Sequence, residues 1–305
     1  MKRYALKRLW LGIITLVGVS LVIFIAVRLS GDPALLLAPP DATQQELQAI
    51  RAELGLDKPL PVQYALFISN AVRGDFGRST RYRQPALSLV LSRLPATMEL
   101  AVVAFCISIS IGIAFGVASV TKPGSWFDVL GKTLASLGQA MPEFWIGIMA
   151  VLIFSVWLGW FPTSGRGGIT HLVLPAVTLG WFSAASILRL TRSAMLKVMG
   201  TEFIKTARLK GNVERTVIWR HALRNALIPV VAMGGMQLGR LLGGAVIVET
   251  IFAWPGLGQL ILDGVYSRDY SVVQAGVFIT SGIFVLLNIL VDLSYGIIDP
   301  RIRYE

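Results

Sequence analysis

Six stretches of the sequence are apolar for about 20 residues or more each: roughly 9–27, 98–120, 134–159, 172–191, 225–248 and 272–291. At 1.5 Å per residue each is long enough to cross a hydrocarbon core about 30 Å thick. Backbone N–H and C=O groups in lipid must be satisfied within the segment, so these stretches fold as helices. Charged residues make up only 15% of the chain, against about 25% in a soluble domain. The mean hydropathy is +0.68. The expected fold class is therefore an all-α integral membrane protein with six transmembrane helices, and an enzyme built around a soluble core is disfavoured.

The net charge of +11 follows the membrane rather than nucleic acid, because the basic residues gather where cytoplasmic loops are expected. Lys2, Arg3, Lys7 and Arg8 precede the first span. Lys122 and Lys132 follow the second, nine Lys or Arg lie between Arg189 and Arg224, and Arg301 and Arg303 close the chain. The opposite short loops hold Arg166 and Arg268. Both termini and the basic insert are thus expected in the cytoplasm. The first apolar run is longer than the 7–15 residues of a signal peptide and "VRLSGDPA" offers no clear cleavage site, so that helix is read as retained. One cysteine, Cys106, and two histidines, His171 and His221, give no metal-ligand cluster, and no metal site is expected.

Four regions follow: an N-terminal transmembrane helix (1–29), an extracytoplasmic segment (30–93), a five-helix core (94–298) with a cytoplasmic loop at about 200–224, and a cytoplasmic tail (299–305). In the outer segment, Leu47, Ile50 and Leu54 recur at helical spacing, with Asp41 or Thr43 placed to cap and Gly55 to stop. A second short helix puts Tyr64, Phe67, Ile68 and Val72 on one face, and "GDFGRS" forms a turn.

The basic insert "TEFIKTARLKGNVERTVIWRHALR" needs a reason to exist between two apolar spans. Its first part is an amphipathic helix with Thr201 as cap and Gly211 as stop. Phe203, Ala207 and Ile204 form its apolar side, and Lys205, Arg208 and Lys210 ring the rest. Anchoring on anionic headgroups accounts for the charge. A small residue at Ala207 followed by a helix stop suits docking into a groove on another protein.

"KTARLKG" resembles the cytoplasmic loop of ABC importer membrane subunits, whose usual form is Glu-Ala-Ala, three residues, Gly, nine residues, then Ile-x-Leu-Pro. Ala207, Gly211 and Leu223 fall on matching positions, whereas Lys205, Thr206, His221 and Arg224 depart from the general form and match the dipeptide/oligopeptide branch. "GDPA", "LGLDKPLPVQY", "GDFGRS", "RLPATMEL", "VETIFAWPGLGQLILDGVYSRDY" and "DPRIRY" resemble that branch in order along nearly the whole chain. The resemblance implies a multi-pass permease of a bacterial or archaeal inner membrane. It would form half of a translocation path for dipeptides, oligopeptides or a related small solute. It would pair with a second homologous permease, with two cytoplasmic ATPase subunits and with an extracytoplasmic solute-binding protein. ATP would be hydrolysed by those partners, no cofactor would be held by this chain, and the chain would not be an enzyme. The ATPase-coupling residues would be Glu202, Phe203, Lys205, Thr206, Ala207, Arg208, Lys210 and Gly211.

"GKT" at Gly131–Thr133 lacks the earlier glycine of a phosphate loop, since Trp126 stands there. "TSGRGG" does not satisfy Gly-x-Ser-x-Gly. Charged and polar groups within the spans mark a path or a partner contact. On that ground Glu143 and Arg240 are candidates for the translocation path, with Gln139, Trp145 and Asn288; pairing between Glu143 and Arg240, or with a second permease, is the alternative. Gly235, Gly239 and Gly243 read as a packing stripe, and Pro142 and Pro175 as kinks. A secondary transporter working without an ATPase is the rival function; it predicts an internal repeat, and none is evident.

Overall fold

The computed structural model describes residues 2–31, 34, 42–53, 55–121 and 123–298, with the side chains of 2–5, 53 and 293–298 not described. Asp41, Lys122, Leu54 and the tail with Arg301 and Arg303 lie outside the described residues, as do parts of "GDPA" and all of "DPRIRY". The described chain is helical, with one isolated bridge between Arg78 and Pro85. It divides into two compact units, one of residues 2–97 and 255–286, the other chiefly of residues 98–254 and 287–305.

The first unit contains α1 (Lys2–Leu29), α2 (Gln44–Glu53), α3 (Leu60–Val72), the start of α4 (Ala86–Thr121), α10 (Leu257–Tyr266) and the first part of α11 (Tyr270–Ile298). Thr43 and Glu46 begin α2 with a reciprocal capping box. The Thr43 backbone N–H donates to Glu46 Oε2 at 2.7 Å, and the Glu46 N–H donates to Thr43 Oγ1 at 3.3 Å. Gly55, at φ +64°, turns the chain after α2 in a conformation that favours glycine. The inward face of α3 is Gln63, Tyr64, Phe67 and Ala71; Val72, expected on that face, is 78% exposed. Tyr64 binds α1 through a hydroxyl contact of 2.8 Å to Ser20 and an edge-on contact of 5.5 Å to Phe24. The buried core joins Phe76, Ala86, Val90, Leu257, Leu260, Val272 and Ala275.

"GDFGRS" does form a turn, and Asp269 holds it. The buried Asp269 carboxylate accepts from the Ser79 hydroxyl and from the Arg81 N–H, and receives a further bond from Val272 N–H at the start of α11. Two motifs 190 residues apart in sequence thus share one buried carboxylate.

The second unit contains the rest of α4, α5 (Trp126–Ala140), α6 (Glu143–Trp157), α7 (Ile169–Met199), α8 (Glu202–Leu209), α9 (Glu214–Ile251) and the end of α11. Five described helices are long and apolar enough to cross a membrane. The sixth crossing, expected as a span at 134–159, is instead a pair: α5 and α6 meet at an angle of 114°. At 15 residues apiece each is about 22 Å long, too short to cross alone. Pro142 causes the break. It has no N–H to continue α5, and it drives the preceding Met141 to an extended ψ of 131°. Pro175 lies within the continuous α7. α4 begins at Ala86, a dozen residues before the expected span, because Arg93 and Pro95 sit inside a helix whose outer turns pack into the first unit.

Small residues set the close approaches. A Cβ on Gly112 would lie 2.6 Å from Ile187, and one on Gly116 2.6 Å from Thr191, where α4 crosses α7. A Cβ on Gly138 of α5 would overlap the Ala185 side chain of α7, and one on Gly235 of α9 would overlap Val291 of α11. Gly243 faces open space, so the expected stripe along α9 packs at Gly235 and not throughout.

Candidate functional site

The helix α8 starts after Thr201, which holds the extended cap backbone, but its hydroxyl donates to Val198 O at 2.7 Å rather than capping. Gly211, at φ +76°, provides the expected stop. Between them the helix presents two faces. Ile204 is fully buried in a cluster with Val117 of α4, Met195 of α7, and Val217, Ala222 and Leu223 of α9. Ala207 is also buried, and its carbonyl accepts from the Asn212 amide at 2.9 Å. The expected apolar side is therefore reassigned. Ala207 faces its own chain, and the Ile204 and Ala207 pair at spacing three is the anchor. Phe203 lies outside that anchor, 51% exposed and 5.8 Å edge-on to His221.

Ion pairs brace the segment. Arg208 donates to both carboxylate oxygens of Glu214, at 2.7 and 3.1 Å, and this hydrogen bonding raises the guanidinium pKa above its ordinary value. Lys205 pairs with Glu202 at 2.6 Å. Both pairs are solvent-exposed, so their role is alignment rather than stability. The outward face of α8 carries Glu202, Phe203, Lys205, Thr206 and Arg208, and then Leu209 at 88% exposure and Lys210. Val213 and Trp219 continue the exposed apolar surface beyond Gly211. Sequence reasoning missed Leu209, Val213 and Trp219. The available signal was that Leu209 falls outside the face fixed by Ile204 and Ala207.

Farther along the chain, the turn between α5 and α6 opens a cavity of about 390 Å³. Gln139, Glu143 and Arg240 line it, with Thr178, Trp181 and Phe182 of α7. Glu143 and Arg240 thus share one space. They form no ion pair with each other, and the Arg240 guanidinium instead lies 3.6 Å over the Phe182 ring. Trp145 and Asn288 are not among the residues lining this cavity. Trp145 is 43% exposed on the outside of α6 and Asn288 is half-buried on α11. Gly131 of "GKT" lies buried within α5, with no strand or phosphate loop. Among the described residues no His, Cys, Asp or Glu cluster could hold a metal.

A short basic helix packed on three long apolar helices, in a unit that also holds a polar cavity at a broken span, fits a membrane transport subunit. Residues 93–304 match the family described as the binding-protein-dependent transport system inner membrane component, and residues 1–101 match the N-terminal component of the same systems. The chain belongs to this family and is a multi-pass inner-membrane permease subunit of an ABC importer. It is 44% identical, over the full length of both chains, to the glutathione transport system permease proteins GsiC of Salmonella paratyphi A and Escherichia coli K12. A solved structure of the MetNI methionine ABC transporter in an inward-facing conformation matches 69% of this chain and 96% of its own, with a TM-score of 0.57 and 22% identity. That likeness carries the fold alone. Family membership sets aside the secondary transporter, and ATPase and binding-protein partners follow in general terms.

Proposed function

We propose that this permease forms half of the path for a short peptide and that α8 is the element through which ATPase subunits drive it. One chain pairs with a second, similar permease, and two cytoplasmic ATPases bind and hydrolyse the ATP. An extracytoplasmic binding protein delivers the solute, and both termini lie in the cytoplasm with the basic insert. The solute class is supported by full-length relatives named for transport of glutathione, a tripeptide.

One observation carries the coupling role. Ile204 is buried among residues of α4, α7 and α9, while Phe203, Thr206 and Leu209 point away from that cluster. A partner that grips the outward face moves three membrane helices together. ATP-driven closure of the ATPases then switches the cavity's access by a rigid-body change between discrete packings.

The test is uptake into proteoliposomes by this permease with its partner permease, ATPases and binding protein. Labelled glutathione and a labelled dipeptide serve as solutes. Uptake that requires ATP and both ATPases is expected. Equal uptake with the ATPases omitted would sink the proposal.

A further inference from the structure

We infer that the cavity between α5, α6, α7 and α9 is a solute-binding site within the membrane, built for a small zwitterion that carries an ammonium and a carboxylate. This rests on the import reading for its purpose, but not for its existence. Three side chains lining the cavity hold buried polar atoms with no hydrogen-bond partner among the described residues: Glu143 Oε1, Thr178 Oγ1 and Trp181 Nε1. Buried polar atoms are nearly always satisfied, and each orphan costs about 1–3 kcal/mol. Three gathered around one cavity call for a polar occupant.

The donor and acceptor set defines that occupant. Glu143 offers a carboxylate that shares the cavity with Arg240 but forms no close ion pair with it, which leaves room for an ammonium. The Trp181 indole N–H can only donate, and Thr178 donates or accepts. The Arg240 guanidinium carbon lies 3.6 Å from the Phe182 ring centre and makes no ion pair with Glu143, which leaves its N–H groups for a carboxylate. Cationic and anionic groups that face one space without forming an ion pair are the complement of a molecule bearing both charges. About 390 Å³ falls at the small end of ligand pockets, which suits a short peptide rather than a long one. The Pro142 break builds the site, because it brings the end of α5 and the start of α6 to the same wall.

The experiment uses the assembled permease pair with its ATPases in lipid nanodiscs, without ATP and without the binding protein. Tryptophan fluorescence reads titration with reduced glutathione and, separately, with a tripeptide N-acetylated and C-amidated. Saturable binding of glutathione is expected, at least tenfold weaker in Glu143→Gln and in Arg240→Gln, with no saturation by the capped tripeptide. Thr178→Val, which keeps the shape and removes the hydroxyl, weakens binding severalfold and serves if a charge variant fails to assemble. Absence of saturable binding by the unaltered complex overturns the site, as does equal binding of the capped tripeptide or by the variants. An importer reading that fails shows itself separately, as no co-purification of the ATPases.

Discussion

In the proposed coupling role of α8, Ile204 is the anchoring residue, because its side chain is buried among three membrane helices while its neighbours Phe203 and Lys205 are exposed. Ile204→Ala removes methylene groups from a closed cluster, at a cost of about 2–5 kcal/mol. The thermal midpoint of the purified complex should fall, and ATP turnover should persist with less solute transported per ATP. An unchanged transport ratio would contradict this role. At the other end of the chain, Glu46 makes α2 sensitive to acid. The Thr43 backbone N–H, and then its hydroxyl, hold the Glu46 carboxyl below its ordinary 4.5. The folded carboxylate is favoured, so its contribution is complete above pH 4.5 and is lost as pH falls through the lowered value. Amide exchange in α2 should accelerate on acidification below pH 4.5, and Glu46→Gln, which removes the titrating carboxyl, should remove that dependence. Exchange with the same pH profile in the variant would refute the capping account.

At the scale of elements, the bent α5–α6 pair is held by contact with α7 through Gly138. Any Cβ there would lie 2.4 Å from that of Ala185, and both atoms are fixed to backbone. Gly138→Val should therefore force the helices apart and destabilise by about 1–3 kcal/mol. A thermal midpoint equal to that of the unaltered complex would show that the pair is not packed this way. The same pair shows how far a sequence can be read. Pro142 suggests a break, but Pro95 and Pro175 sit inside continuous helices, so a proline alone does not decide it. The angle of 114° depends on what α7 offers on the other side, and that is not local information. In α8, spacing three (Ile204, Ala207) and spacing four (Phe203, Ala207) both suit a helix, and only the tertiary partners choose between them. Gly211 and Gly55 were legible because a left-handed turn demands glycine. The early start of α4 was not, since Arg93 and Pro95 resemble a loop until the outer turns find a core. Gln139, Glu143 and Arg240 were found as polar residues in apolar surroundings. Thr178 and Trp181 carry no such contrast, and only the cavity brings them forward.

For the whole molecule, the division into two compact units gives each a distinct job. One unit is cross-linked by Asp269, which holds the "GDFGRS" turn and the start of α11 together. The other carries α8 and the polar cavity, so the proposed ATPase-docking element and the proposed solute site belong to one packed body. The central claim is that the outward face of α8 is where ATPase force enters. It is tested most directly at Leu209, because that side chain is 88% exposed and its replacement leaves the Ile204 cluster untouched. The measurement is binding-protein-stimulated ATP turnover of the reconstituted complex with Leu209→Asp, alongside co-purification of the ATPases. The account predicts loss of the ATPases or a fall of at least tenfold in stimulated turnover, with the permease pair still assembled. Full ATPase binding and unchanged stimulated turnover would contradict it and leave the insert as a charged segment on the membrane surface.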